Sequence, residues 1–111
     1  MKSTSLTLLA MMILFGCEKY NPAANTPECV ADSIKDFSKD AWCEDIKIEE
    51  YLFQGGYVYC YDPGTCGNDM DTKVVDANCN VLGYLGGFSG NDIINGESFT
   101  SAQFIRTVWE Q

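Results

Sequence analysis

The residues of this sequence most able to do chemistry are its six cysteines, because the chain contains no histidine. Without histidine, a serine or cysteine nucleophile lacks its usual base, and zinc lacks its common nitrogen ligand. A zinc site made of four cysteines calls for closely spaced pairs, and the sequence has no Cys-x-x-Cys. The cysteines therefore indicate lipid modification or disulfide bonds, and we predict no metal, no cofactor and no enzyme activity.

Cys17 differs from the other five because it follows a short apolar run near the start of the chain. Lys2 supplies a positive charge, and Leu6–Phe15 is almost entirely apolar. That run is shorter than the roughly 20 residues that span a bilayer, but it fits the core of a secretion signal. The segment Leu14-Phe15-Gly16-Cys17 resembles the lipobox of bacterial lipoproteins. The resemblance implies that residues 1–16 are removed and that Cys17 carries diacylglycerol and a further acyl chain such as palmitate.

The chain that remains after such cleavage is small and acidic. It has 95 residues, which is enough for one domain. Loss of Lys2 leaves six basic and 16 acidic residues, a net charge of −10. This charge repels nucleic-acid phosphates, so we predict no nucleic-acid partner.

Five cysteines remain for disulfide bonds, which are expected in an exported protein. We predict Cys60 as the free thiol, because it lies in the middle of a strand pattern, where a small apolar side chain packs. The predicted bridges join Cys29 to Cys43 and Cys66 to Cys79. The first requires the intervening helix to end early, since a straight helix would hold its ends about 20 Å apart, whereas a bridge needs Cα atoms within about 7 Å.

The elements that must position these cysteines follow from apolar spacing. Residues 17–26 are predicted to be the lipidated cysteine and a polar tether. Thr26, Pro27 and Glu28 suit a capped helix start, and the helix predicted over 27–40 carries an apolar stripe of Val30, Ile34, Phe37 and Ala41.

The rest of the chain shows strand alternation. Residues 46–62 predict a hairpin that turns at Gly55-Gly56, and residues 72–85 predict a second hairpin. Near the end, Thr100 and Gln103 fit a capping box, although the residues that follow favour a strand. The sequence predicts an α+β domain over 27–111: a small antiparallel sheet of four to five strands, made of two hairpins plus a C-terminal strand, with one N-terminal helix packed on it.

The order of these pieces resembles small Gram-negative lipoproteins whose domain has no assigned function. The matching segments are Tyr51–Gly55, Val58-Tyr59, Cys66–Asp69, Val75–Asn80, Leu82–Gly87 and the Trp109 ending. The resemblance covers about residues 28–110. It implies no catalytic residues.

Two groups of side chains, one acidic and one aromatic, can each be interpreted in two ways. The Asp76-x-Asn78-x-Asn80 pattern begins like a calcium loop but lacks the glycine and glutamate that an EF-hand needs, so a hairpin turn is favoured. A calcium site that also uses Asp69 and Asp71 stays open. Aromatic side chains of the first hairpin either form an exposed binding face for a protein or glycan or pack into the core; these are Tyr51, Phe53, Tyr57, Tyr59 and Tyr61.

We therefore expect a non-catalytic lipoprotein of the cell envelope, periplasmic or surface-facing, held on the membrane through Cys17. The alternative is an inhibitor-like module that acts on an extracellular enzyme. Recovery of a single hydrolase in a pull-down would distinguish the inhibitor.

Overall fold

The computed structural model describes residues 19–67 and 70–111; the predicted signal and Cys17 lie outside these residues. Within these residues one helix, α1, is followed by seven strands, with a 3-10 turn at Phe99–Ser101 before the last of them. The bounds are α1 Glu28–Asp40, β1 Lys47–Phe53, β2 Gly56–Asp62, β3 Asp71–Asp76, β4 Val81–Gly86, β5 Ile93–Ile94, β6 Glu97–Ser98 and β7 Gln103–Glu110.

Five strands form one antiparallel sheet in the order β4-β3-β2-β1-β7. The last strand returns to pair with the first, so β1, β2 and β3 lie inside the sheet and β4 and β7 are its edges. The predicted α+β fold is confirmed. A second, two-stranded sheet of β5 and β6 was not predicted.

Helix α1 follows its apolar stripe, but its start differs from the prediction. Val30 and Ile34 are fully buried against the sheet. Pro27 occupies the capping position without a side-chain hydrogen bond, and the Thr26 hydroxyl donates to the Ala23 carbonyl at 2.7 Å. Thr26 is therefore not the helix cap, because its hydroxyl stabilises the turn before the helix instead.

The first hairpin turns one residue earlier than predicted. Gln54 and Gly55 are the two turn residues, with φ of 52° and 77°, and Gly56 is already paired with Phe53. A two-residue turn with two positive φ angles matches the twist of the flanking strands. Gly55 meets this requirement without strain, and Gln54 accepts the less favourable position.

The face of the sheet that α1 covers holds the larger core. Tyr59 and Tyr61 of β2 lie on this helix face with Ile48 and Trp109, and all four are buried. Phe37 of α1 packs edge-on against Tyr61, with ring centroids 5.2 Å apart. The aromatic side chains of β2 that were candidates for an exposed face are thus mostly covered by the helix, and only Tyr57 at the hairpin end stays half exposed.

The opposite face holds a second core under β5, β6 and the 3-10 turn. Phe53, Val58, Cys60, Val74 and Ile94 are buried there. Alternation puts Tyr51 and Phe53 of β1 on this face, where both rings contact Phe99. One aromatic surface formed by Tyr51, Phe53 and the β2 tyrosines does not exist, because the two strands place them on opposite sides of the sheet.

The C-terminal segment is a short turn followed by a strand, as the composition favoured. The cap is Ser98, whose hydroxyl accepts a hydrogen bond from the Thr100 backbone N–H. Thr100 is therefore inside the turn, and Gln103 begins β7 and is not the third residue of a helix. The predicted capping box was wrong by two residues.

Candidate functional site

The two disulfides fasten α1 to loops at opposite ends of the sheet. Cys29, in the first turn of α1, is bonded to Cys79 in the β3–β4 turn, with Cα atoms 6.0 Å apart. Cys43, just after α1, is bonded to Cys66 in the loop between β2 and β3, with Cα atoms 5.5 Å apart. Helix and sheet are thereby held together at both ends.

The predicted pairing of Cys29 with Cys43 and Cys66 with Cys79 was wrong. A helix of 13 residues is about 20 Å long, and a strand of six residues is almost as long. Each predicted bridge would have had to shorten one of these elements. The observed bridges instead join each helix end to the loop that lies beneath it.

Cys60 is the free cysteine among the described residues, and its thiol is buried on the face of the sheet opposite α1. Burial raises its pKa to about 12, with smaller contributions from Glu49 and Asp62. The thiol is therefore protonated at neutral pH and lacks the nucleophilic thiolate. Its role in the structure is that of a small apolar side chain.

The segment predicted as a tether is, from Lys19 onward, bonded to the domain. The Ala23 backbone N–H donates to the Val108 carbonyl at 2.8 Å. The Trp109 indole donates to the Lys19 carbonyl at 3.1 Å. The Arg106 guanidinium donates to the Ala24 carbonyl at 2.5 Å. Residues 19–24 therefore run along β7, and only Glu18 separates Cys17 from this docked segment.

Arg106 also holds the one buried charged side chain among the described residues, Glu50 of β1. Its guanidinium lies 3.1 Å from one Glu50 carboxylate oxygen, and the Tyr59 hydroxyl donates to the other at 2.7 Å. Burial, followed by the bond to Glu50, raises the pKa of Tyr59, so the phenol stays protonated and keeps donating. We interpret the cluster as a structural contact that joins β1, β7 and the N-terminal segment.

In the described part of the chain, the most exposed apolar side chains lie at one end of the five-stranded sheet. At this end β1 begins and β2, β4 and β7 finish, and we call it the groove end. A groove of about 370 Å³ opens here between the end of α1 and the loop after β2. It is lined by Phe37, Asp40, Ala41, Trp42, Pro63 and Met70. Trp42 is 88% exposed.

Asp45 holds the loop beside this groove. Its carboxylate accepts hydrogen bonds from the Thr65 hydroxyl at 2.5 Å and from the Thr65 backbone N–H at 3.1 Å. Gly64, with φ of +92°, leaves the space for this approach, because a Cβ there would collide with Asp45 and Cys43. The bonds from Thr65 lower the pKa of Asp45 below its ordinary 3.8.

A lowered native pKa makes the loop contact sensitive to acid. The stabilisation by Asp45 is fully present above pH 4 or so and is lost as the pH falls through the native pKa. We expect Asp45→Asn to lower the melting temperature at neutral pH, and the difference from the wild type to shrink as the pH falls through the lowered native pKa of Asp45. Thermal melts of both proteins at a series of pH values from neutral to acid measure this difference in melting temperature. Asp36→Asn, on the exposed side of α1, is the matched control, and an Asp45→Asn effect that stays constant with pH would contradict the assignment.

The Asp76-x-Asn78-x-Asn80 pattern, which resembles the start of a calcium loop, forms a hairpin turn in which the Asp76 carboxylate accepts hydrogen bonds from the turn's own residues. One carboxylate oxygen of Asp76 accepts the backbone N–H of Asn78 and of Asn80, both at 2.9 Å, and the other accepts the Asn80 amide at 3.1 Å. These bonds lower the pKa of Asp76. Across residues 19–67 and 70–111, no cluster of three acidic, cysteine or histidine side chains is arranged to hold a metal; Asp69 lies outside this part.

The sequence of this fold matches a known family. The model of DUF6970, described as a domain of unknown function, matches residues 35–111. The chain belongs to this family. The DUF6970 match begins inside α1 and takes in all seven strands and four cysteines, but not Cys29 or Cys17. No curated protein and no solved structure matches the chain.

Proposed function

We propose that this DUF6970 protein is a lipoprotein of the bacterial cell envelope that is anchored through lipid on Cys17 and acts by binding, not by catalysis. The observation that carries the proposal is the lipobox-like Leu14–Cys17 placed directly after a short apolar run with a leading lysine. Cleavage before Cys17 would leave the lipidated residue two positions from the first docked residue, Lys19.

Two structural features agree with export. Two disulfides in so small a domain fit an oxidising compartment. The remaining thiol is buried and protonated at neutral pH. In the described part of the chain, no helix combines the length and apolar character needed to cross a bilayer.

The non-catalytic part of the proposal rests on what the side chains do. The buried carboxylate of Glu50 is bonded to Arg106 and Tyr59. Asp45 and Asp76 are engaged by their own loops. The groove beside Trp42 has mainly apolar walls, which suits binding better than proton transfer.

Cys17→Ser is expected to abolish lipid attachment and to leave the protein unprocessed or outside the membrane fraction. Two attached acyl chains give stable anchoring, whereas a serine hydroxyl in place of the sulfur takes no diacylglycerol in this pathway. Growth with an alkyne-bearing fatty acid, followed by capture of labelled protein, measures attachment. Cys60→Ser is the control that changes a cysteine elsewhere. Label on the Cys17→Ser protein would refute the proposal.

A further inference from the structure

We propose that the groove end of the domain rests on the bilayer that holds the lipid anchor, with Trp42 and Phe88 inserted at the headgroup level. The inference deepens the proposed function and rests on lipid attachment at Cys17. It adds a second contact with the membrane, made by the folded domain itself, and it fixes how the domain stands on the surface.

The first argument is where the chain leaves the domain. The Lys19 carbonyl is held by the indole of Trp109, which is the penultimate residue of β7. The Trp109 ring in turn packs against Phe37, with centroids 6.4 Å apart, and Phe37 lines the groove. The segment that leads to Cys17 therefore departs from the groove end of the sheet.

The second argument is covalent reach. Only Glu18 lies between Cys17 and Lys19, so their Cα atoms are at most about 7 Å apart in an extended chain. Hydrogen bonds fix residues 19–24 along β7. The connection between Cys17 and the domain therefore cannot lengthen unless these bonds break. An anchor this short keeps the groove end within contact of the headgroups and holds the hairpin end, with Tyr57, away from them.

The third argument is the pattern of exposed apolar side chains. Among the described residues, the two most exposed large apolar side chains are Trp42, at 88%, and Phe88, at 90%. Trp42 lies between α1 and β1, and Phe88 follows the end of β4, so both lie at the groove end. Five strands span about 19 Å. The groove end thus offers the membrane three separated contacts: Lys19 at the β7 edge, Phe88 beyond the β4 edge, and Trp42 between them.

The chemistry of these contacts fits a bilayer interface. Tryptophan is enriched at the headgroup level, where an apolar ring with a polar N–H suits both neighbours. Acidic side chains outnumber lysines around the groove end, six to four. The acidic residues are Asp40, Glu44, Asp45, Asp62, Asp71 and Glu110, and the lysines are Lys19, Lys39, Lys47 and Lys73. Anionic lipid would be repelled, so the matching surface is a zwitterionic one such as phosphatidylethanolamine or phosphatidylcholine.

Fluorescence quenching by brominated lipid tests the contact. The full lipidated protein, extracted from bacterial membranes, is reconstituted into phosphatidylcholine vesicles whose acyl chains carry bromine close to the headgroup. We expect Trp42 emission to shift to shorter wavelength and to be strongly quenched. Trp42→Phe retains only Trp109, which is 6% exposed in the core, so the difference between the two proteins isolates Trp42.

A matched probe at the other end of the sheet serves as the control. Trp42→Phe combined with Tyr57→Trp moves the exposed indole to the hairpin end, since Tyr57 is 54% exposed. This protein should show little quenching beyond that of Trp42→Phe. Equal quenching from positions 42 and 57 would mean that the domain has no preferred orientation, which overturns the inference.

Vesicle flotation separates the two proposals. In one outcome the wild type floats with the vesicles, Cys17→Ser does not, and Trp42 is unquenched. This result supports the lipid anchor but refutes docking of the groove end on the bilayer, and it favours a protein partner for the groove. If the wild type does not float with vesicles, lipid anchoring fails and the docking fails with it. Flotation together with quenching confined to position 42 supports both.

Discussion

Replacing Cys29 and Cys79 together by serine is expected to lower the free energy of unfolding by about 4 kcal/mol. The bridge closes a loop of 50 residues, and the entropy that it removes from the unfolded chain grows with loop length. Small domains have only about 5–15 kcal/mol of stability in total. Urea unfolding of the wild-type and variant proteins, each oxidised, measures the difference.

The second bridge provides the comparison. Cys43→Ser with Cys66→Ser opens a loop of 23 residues, for which the same argument gives about 3 kcal/mol. Peptide mapping of the non-reduced wild type checks the pairing, and Cys60 should resist alkylation until the protein is unfolded. A crosslink from Cys29 to Cys43, or a Cys29/Cys79 variant as stable as the wild type, would contradict this account.

Arg106→Ala is expected to destabilise the domain by about 3–5 kcal/mol, because it leaves the Glu50 carboxylate buried without a positive partner. Glu50 is 6% exposed, and Tyr59 would be its only remaining side-chain bond. The same change removes the bond to Ala24 and loosens the N-terminal segment from β7. Chemical unfolding at neutral pH measures the loss.

Two further variants separate charge from packing. Adding Glu50→Gln to Arg106→Ala should recover part of the stability, since a neutral amide is less costly to bury than an unpaired carboxylate. Lys47→Ala breaks the half-exposed pair of Lys47 and Glu49, 3.7 Å apart, and should cost no more than about 1 kcal/mol. An Arg106→Ala effect as small as that of Lys47→Ala would show that the buried pair contributes little.

The elements with a clear period could be predicted from sequence. The apolar residues Val30 and Ile34 recur at helical spacing and are buried as expected. The first hairpin shows alternation that is broken at Glu50, which is buried, and its two strands pair in full register. In both cases one local pattern determines the element, so no knowledge of distant residues was needed.

One element was missed although its signal was present. Asn95-Gly96, both with positive φ, form the turn between β5 and β6. This dipeptide between short strand-forming segments is the strongest local signal for a two-residue hairpin turn. The strands are only two residues long, so alternation could not reveal them.

The disulfide pairing and the fate of the tether depended on tertiary structure. Cys29 and Cys79 are 50 positions apart, and only the placement of α1 along the sheet brings them together. Residues 19–26 resemble a linker by composition. Ala23 and Lys19 nevertheless bond to β7 through their backbone N–H and C=O groups, and such bonds cannot be predicted from the types of the side chains. The groove beside Trp42 likewise arises from three segments that meet only in the fold.

Both edges of the five-stranded sheet are closed by the chain itself. On β7, Val108 bonds to Ala23, and two bulges interrupt the register with β1. On β4, Asn91 bonds through its backbone to Gly86 and through its side chain to the Tyr84 carbonyl. Proteins fixed to one surface share an orientation and meet side by side, where open strands would join into ribbons. If the protein is lipid-anchored as we propose, these capped edges would let many copies share one leaflet and still diffuse as separate molecules.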